Sequence, residues 1–455
     1  MNESFEMQQT MLQFFTDPIL RGPTVGCMLM CLSAALVGVI VFLRRQSLLG
    51  ESLSHAAYPG VVIGIAVAGA MGFDESSEWW VSLLVMSGAF ISALLGLWCI
   101  SFLEKRLKVK SDAALCFVLS TFFGIGLTLA SRVQFTHTLL FRQAQSYLFG
   151  QAATMNDMHI WIYGGLSAVL IGAIALLYKE LQVITFDAAY AKSLNIPVKA
   201  VHTAIFILIV LALVIGIRSV GVVLMSAMLI APAAAARQFS NRLYIIFPLA
   251  GLFGLLSGFF GNYLSVKVPE MLEEPGSVEH MFLPTGPMIV MVATSICVLS
   301  LLFAPQRGVF VRALRIASFR FKTISDNVIK SIWRQSNGKN ITFQDIARYQ
   351  TVSKVYLKIV LANLTYNGWL RRNATGGYEL THEGSAWGAK IVRLHRLWEV
   401  YLVDYLGACA ERVHHSAEEI EHVLTPEIEN ELVKLLNDPK RDPHHKPIPR
   451  REDDL

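Results

Sequence analysis

Hydrophobic positions along this chain change their period once, and abruptly. Up to about residue 304 they come in long runs, near 25–43, 54–72, 80–103, 112–130, 159–178, 203–217, 219–236, 244–264 and 285–304. Each approaches or reaches the roughly 20 residues that a helix needs to cross a bilayer. About nine spans are therefore expected, and the sixth and seventh, separated by almost nothing, also read as one broken re-entrant pair. Beyond residue 322 the runs stop. Apolar residues then recur at three- and four-residue spacing among charges, which is the pattern of amphipathic helices in water.

The loops give orientation. Arg44 and Arg45, then Lys105, Arg106, Lys108 and Lys110, then Lys179, Lys192 and Lys199, then Arg237 and Arg242 fall in alternate loops. The other set holds GFDESSE and VPEMLEEPGSVEH, with only scattered Arg132, Arg142, Arg218 and Lys267. Basic short loops stay in the cytoplasm, so nine spans with the N-terminus outside leave the second half of the chain cytoplasmic. The junction PQRGVFVRALRIASFRFK, residues 305–322, carries Arg307, Arg312, Arg315, Arg320 and Lys322 and reads as a basic linker against the lipid surface. The first 24 residues lack the basic and short apolar regions of a signal peptide, so the first apolar run is expected to remain as an anchor.

With 54% hydrophobic and 16% charged residues, the chain is too apolar for an ordinary soluble enzyme. Its net charge of +5 says little about partners, because acidic and basic residues sit in different segments. The six cysteines, Cys27, Cys31, Cys99, Cys116, Cys297 and Cys409, form no CxxC or Cys/His pattern and are expected to pack. No GxxxxGK[ST] occurs, which excludes ATP hydrolysis by a P-loop of this chain.

In the polar half, Asp326–Arg334 predicts a helix with Val328, Ile329, Ile332 and Trp333 buried, stopped at Asn337-Gly338. Thr342 caps a second helix with Phe343, Ile346 and Ala347 inward, and Ser353 caps a longer third that ends at Asn367-Gly368. WLRRNATGGYELT alternates as two strands. This order predicts a winged helix-turn-helix. Ser353, Lys354, Tyr356 and Lys358 would then meet a major groove and Arg371 and Arg372 would lie in the wing, although such charges also suit a simple solvated face.

Four stretches carry candidate chemistry. Glu51 and His55 stand four apart at the start of the second span, so one helix face offers a carboxylate and an imidazole; a pair reaching back to interfacial water has the same spacing. Pro59 and Gly60 are expected to break or bend that helix. Residues 183–202 hold a short amphipathic helix, Phe186 to Leu194, stopped by Asn195 and Pro197, suited either to docking a soluble partner or to lying on the bilayer. In residues 220–242, Gly221, Ser226 and Ala233 to Ala236 allow close helix packing. Finally, His395 and Glu399 are four apart, and His414, Glu418, Glu421 and His422 share one side of a following helix. Imidazoles and carboxylates without thiolate suit manganese, ferrous iron or zinc, while a solvated, salt-bridged helix would carry the same residues.

Residues of roughly 20–308 resemble the permeases of zinc, manganese and iron ABC importers. The resemblance rests on Glu51, Ser54, His55, Ala56, Pro59 and Gly60, on Phe186, Asp187, Ala191 and Leu194, on Val220 to Arg237, on LFGQ at Leu148 to Gln151, and on TGPMIV at Thr285 to Val290. It implies a metal site at Glu51 and His55 on the translocation path, with Glu51 where Asp is common. It also implies that Phe186, Asp187, Ala191 and Leu194 couple to a separate ATPase, with a second permease subunit and an extracytoplasmic metal-binding protein as further partners. Residues of roughly 323–450 resemble the diphtheria-toxin-repressor family, through His395, Arg396, Leu397 and Glu399, through Val413, His414, Glu421, His422 and Val423, and through Asp442, Pro443, His444, Pro447 and Pro449. This resemblance implies metal ligands at His395, Glu399, His414, Glu418, Glu421 and His422, a dimer, and operator DNA as a partner, with Asn327 and Lys330 nearest the first-helix position that supplies a further ligand. No third, SH3-like domain is expected.

The two halves together resemble permease–repressor fusions of chlamydial iron transport. The expected fold is mostly α, a polytopic membrane bundle followed by a winged helix-turn-helix and a helical metal-binding and dimerisation domain. The expected segments are 1–304 permease, 305–322 linker, 323–388 DNA-binding and 389–455 metal-binding. The expected function is import of a divalent metal, Fe2+ before Mn2+ or Zn2+, joined to metal-dependent repression, in a bacterial inner-membrane protein whose tail can be released. A tail that senses metal and inhibits transport without DNA, and a secondary carrier without an ATPase, are the alternatives.

Overall fold

Asp17 opens the first long helix by accepting the Ile19 N–H at 2.9 Å, and Pro18 occupies the first turn, where its missing N–H costs nothing. The computed structural model describes residues 11–71, 78–136, 142, 145, 147–272, 283–335, 341–350, 352–373, 376–410 and 412–450. The chain divides into two units, Met1–Arg312 and Ala313–Leu455. The acidic loop at 72–77, most of the stretch around Glu273, and Asn337, Gly338 and Thr375 lie outside the described residues.

Among the described residues of the first unit, eight helices are long and apolar enough to cross a membrane: Pro18–Leu43, Ser47–Ala70, Glu78–Lys105, Ser111–Thr136, Asp157–Leu176, Val198–Val220, Leu243–Leu272 and Thr285–Phe303. The seventh predicted span, 219–236, departs from expectation as a full crossing. It is a 15-residue helix, Met225–Phe239, which at 1.5 Å per residue falls well short of a hydrocarbon core of about 30 Å. Gly221 separates it from Val198–Val220 with φ at +92°, and a Cβ there would lie 2.4 Å from the Leu148 carbonyl oxygen. The short helix packs closely, as its small residues predict: a Cβ on Gly38 would lie 1.9 Å from the Leu229 carbonyl oxygen.

Burial puts the candidate metal helix at the centre of this unit. In their most apolar windows, Pro18–Leu43 and Ser47–Ala70 are each 72% buried, against 22% for Thr285–Phe303. The helix does not break at Pro59 as expected; it runs through to Ala70. Gly60 instead serves contact, because a Cβ there would lie 2.0 Å from the Gly88 carbonyl oxygen. Ser92 donates to the Ala56 carbonyl at 2.7 Å across the same interface. Cys27 and Cys31 are buried, whereas Cys116 and Cys409 are exposed and do not pack as expected.

The segment expected as a linker is largely helical. A helix runs Val309–Gln335 and takes in most of residues 305–322, because no proline or glycine follows Gly308 and apolar residues alternate with arginines at helical spacing. Val328, Ile329 and Ile332 are buried with Ile346, Leu357, Val360 and Leu364, and Trp333 is half-buried. Thr342 and Asp345 form a capping box for Phe343–Tyr349, and Ser353 caps Lys354–Tyr366. Two antiparallel strands follow, Leu370–Arg372 and Tyr378–Leu380, with Arg371 opposite Glu379. These elements have the order of a winged helix-turn-helix.

Thr381 then caps His382–Asp404, accepting the Gly384 N–H at 3.1 Å, and Val413–Ile420 and Pro426–Leu435 complete the unit. The closing segment is held from the long helix. Arg393 donates to the Pro449 carbonyl at 2.8 Å and Arg396 donates to that of Pro447, while Asp442 accepts the N–H groups of His444 and Lys446.

Candidate metal centre

Glu51 and His55 occupy successive turns of Ser47–Ala70, Glu51 half-buried and His55 buried. The His55 ring stands edge-on to Phe123 with centroids 4.6 Å apart, and its buried Nδ1 has no hydrogen-bond partner. Such a nitrogen costs about 1–3 kcal/mol, which a cation or a proton donor reaching it would recover. No third His, Cys, Asp or Glu joins the pair among the described residues.

Asp187 caps the short helix Ala188–Ser193, one oxygen accepting the N–H groups of Ala189 and Tyr190 at 2.9 Å each. Asn195 ends it at φ +57°. Ala191 is buried and Leu194 is exposed, so the helix offers an apolar tip on a rigid cap; the Phe186 side chain lies outside the described residues.

In the second unit Ser353 accepts the Tyr356 N–H at 3.3 Å, and Lys354 and Lys358 are exposed. Tyr356 packs against Phe321, with ring centroids 6.1 Å apart, and so belongs to the core edge rather than to the free basic face. Arg371 and Arg372 are exposed on the first strand.

Three predicted ligands converge. His395 and Glu399 come from consecutive turns of His382–Asp404, and His414 from the start of Val413–Ile420. Their donor atoms lie within 4.8 Å of one another. His395 Nε2 is 2.9 Å from His414 Nδ1 and 3.2 Å from Glu399 Oε1, and His414 Nδ1 is 2.9 Å from the same oxygen. His395 and Glu399 are buried while His414 is exposed, which gives the cluster one side open to solvent. Burial alone would push His395 down and Glu399 up. Hydrogen bonds reverse both effects: Glu399 and Glu421 hold His395 above its ordinary value, and His395 with His414 holds Glu399 at about 2. The Glu399 carboxylate is thus charged in the metal-free cluster, and protonation of His395 competes with a metal there. Two imidazoles and a carboxylate fit manganese, ferrous iron or zinc.

The other three predicted ligands do not join this group. Glu421 lies behind it, with Oε2 2.6 Å from His395 Nδ1. Glu418 is exposed at the margin, 3.5 Å from His414 Nε2. His422 turns away, its Nδ1 3.2 Å from Asp326 Oδ2. Sequence reasoning missed Asp326, which is buried and also accepts the Trp387 indole N–H at 2.9 Å. The signal was available: Asp326 and Lys330 are four apart and interleave with buried Val328, Ile329 and Ile332. Asn327 is only half-buried, and Lys330 is a cation among the acids rather than a ligand.

Residues 16–304 match the ABC 3 transport family. The chain belongs to that family. Residues 381–450 of this ABC 3 family protein also match the metal-binding and dimerisation domain of iron dependent repressors. A probable metal transport system membrane protein of Chlamydia trachomatis is 37% identical over 446 residues, 96% of this chain and 97% of that one. The manganese transport system membrane protein MntC of Bacillus subtilis is 33% identical over 380 residues, 83% of this chain and 82% of its own length. Among solved structures, PsaBC from Streptococcus pneumoniae in complex with Fab is similar, with a TM-score of 0.55 and 25% identity over 68% of this chain and 99% of that chain. The ABC 3 family chain is a multi-pass membrane protein with a metal-binding repressor domain after its last long apolar helix.

Proposed function

We propose that this ABC 3 family protein is the membrane subunit of an ATP-driven importer of a divalent transition metal, and that its second unit is a repressor that binds DNA when it holds that metal. The observation that carries the second part is the convergence of His395, Glu399 and His414 in the same unit as a helix, Lys354–Tyr366, whose Lys354 and Lys358 are exposed. The donor set suits Mn2+, Fe2+ and Zn2+, and manganese is the metal named in the B. subtilis relative. Iron, the metal expected from the resemblance, shares these donors.

In the membrane half, His55 Nδ1 and the Glu51 carboxylate receive the cation as substrate on the central helix. The capped tip at Asp187–Leu194 docks a separate ATPase, a second permease subunit completes the pathway, and an extracytoplasmic protein delivers metal. The alternate basic loops support a cytoplasmic second unit in a bacterial inner membrane, with Met225–Phe239 and the non-helical residues 221–224 before it together completing a ninth crossing. A metal-loaded dimer would set two recognition helices about 34–36 Å apart on DNA. Release of the tail by proteolysis would widen its search of the chromosome. The transport part is tested by uptake of radiolabelled Mn2+ in cells co-expressing the ATPase: His55→Ala is expected to abolish accumulation, and unchanged uptake would refute the path.

A further inference from the structure

Beside the three converging ligands lies a second group of cation-seeking atoms. Asp326 and Glu421 are buried and the His422 side chain is shielded beside them; His422 Nε2 is 3.6 Å from Glu421 Oε1 and has no hydrogen-bond partner. What sits among them is the Lys330 ammonium. It is buried, and its Nζ lies 2.7 Å from both oxygens of Glu421 and 3.3 Å from His395 Nδ1.

We propose that Lys330 is a tethered cation occupying this second position, so that the regulatory unit takes one divalent ion per chain where its donors would otherwise hold two. The proposal rests on His395, Glu399 and His414 forming the metal centre. Three physical points support it. An ammonium is a compact point charge with three donors, and here two of them face the Glu421 oxygens. One of those oxygens also faces His395 Nδ1–H, so three of the roughly four lone-pair directions of Glu421 are taken and an incoming ion must compete with Lys330 for both oxygens. A divalent ion among Asp326, Glu421 and His422 would also lie within a few ångströms of a fixed positive charge, a repulsion that low-dielectric surroundings magnify.

The pairing also divides labour. Lys330 holds Glu421, and Glu421 accepts a hydrogen bond from His395 Nδ1–H, which leaves Nε2 facing Glu399 and His414. Glu421 is then an outer carboxylate that orients a ligand. It binds no metal directly while Lys330 is in place.

The test uses full-length protein in nanodiscs on a His55→Ala background, titrated with Mn2+ and read by metal analysis and electron paramagnetic resonance. Chains with Lys330 should bind one Mn2+ with the six-line spectrum of an isolated ion. Lys330→Gln should bind two and acquire an exchange-coupled signal, which His422→Ala added to it should remove. A coupled pair in chains with Lys330, or a folded Lys330→Gln that still holds one isolated ion, would overturn the proposal and leave the metal centre standing. If Lys330→Gln fails to fold, the spectrum of the Lys330 chain decides alone, since a coupled pair there is incompatible with a filled second position. Absence of any Mn2+ sensitive to His414→Ala would overturn the metal centre itself.

Discussion

His395 Nδ1 lies 2.6 Å from Glu421 Oε2, and this contact decides which ring nitrogen is left for a metal. With Nδ1 protonated and directed at Glu421, Nε2 is the nitrogen that faces Glu399 and His414. Outer carboxylates of this kind typically account for about 10–100-fold in metal affinity. Glu421→Gln should therefore weaken Mn2+ binding by roughly that factor in calorimetry. Glu421→Ala should do more damage to the fold than to the ligand set, because it leaves the Lys330 ammonium buried and unpaired, at a cost of about 3–5 kcal/mol. Replacing both Lys330 and Glu421 by apolar residues should restore the lost melting temperature without restoring affinity.

Protons compete with metal at this centre. Because His395 is held above its ordinary value, it is protonated in the metal-free state over a wider range than a free imidazole. Binding should release protons, seen as a buffer-dependent heat, and affinity should fall as pH drops through the raised His395 value. The same shifts set the stability of the metal-free unit. The share from charged His395 is complete below its unfolded value of 6.5 and is lost as pH rises through the raised folded one. The share from Glu399 is present above 4.5 and is lost as pH falls toward about 2. Thermal melts without metal should show these two contributions together only between those limits.

The membrane half makes a steric prediction. A Cβ at Gly60 would lie 2.0 Å from the Gly88 carbonyl oxygen, so even Gly60→Ala must push Ser47–Ala70 off Glu78–Lys105. Overpacking of this kind costs typically 1–3 kcal/mol. Reduced uptake with normal membrane insertion is expected, and Gly60→Val should be worse than Gly60→Ala. Full uptake by Gly60→Val would contradict the packing.

Asp187 caps the proposed coupling helix. Loss of an N-cap costs about 0.5–2 kcal/mol, enough to fray a six-residue helix. Asp187→Ala should lower transport-coupled ATP turnover while leaving metal binding by the second unit unchanged, and Asp187→Asn should recover most of it.

The bundle was legible because hydrophobic run length is a direct physical requirement of the bilayer, and the two short helices after it because Thr342, Ser353 and Gly368 mark their boundaries. What the sequence left ambiguous was tertiary. Met225–Phe239 is apolar enough to suggest a span, but its start is set by contact between Gly221 and the 148–150 backbone. Pro59 suggested a break that packing against Gly88 overrides. The periodicity of His414, Glu418, Glu421 and His422 placed them on one helix side, yet it could not tell which faced His395, which faced solvent and which faced Asp326. Lys330 was invisible as a partner of Glu421 because the two are 91 residues apart.

The central claim, that one chain couples metal import to a metal-dependent DNA-binding unit, is tested most directly by DNA binding of the full-length protein in nanodiscs. Fluorescence anisotropy with the DNA upstream of its own gene should show tight binding with Mn2+ or Fe2+, weak binding after chelation, and no metal response in His395→Ala. Binding that ignores metal, or no binding at saturating metal while the metal centre is full, would contradict it and leave a tail that senses metal without reading DNA.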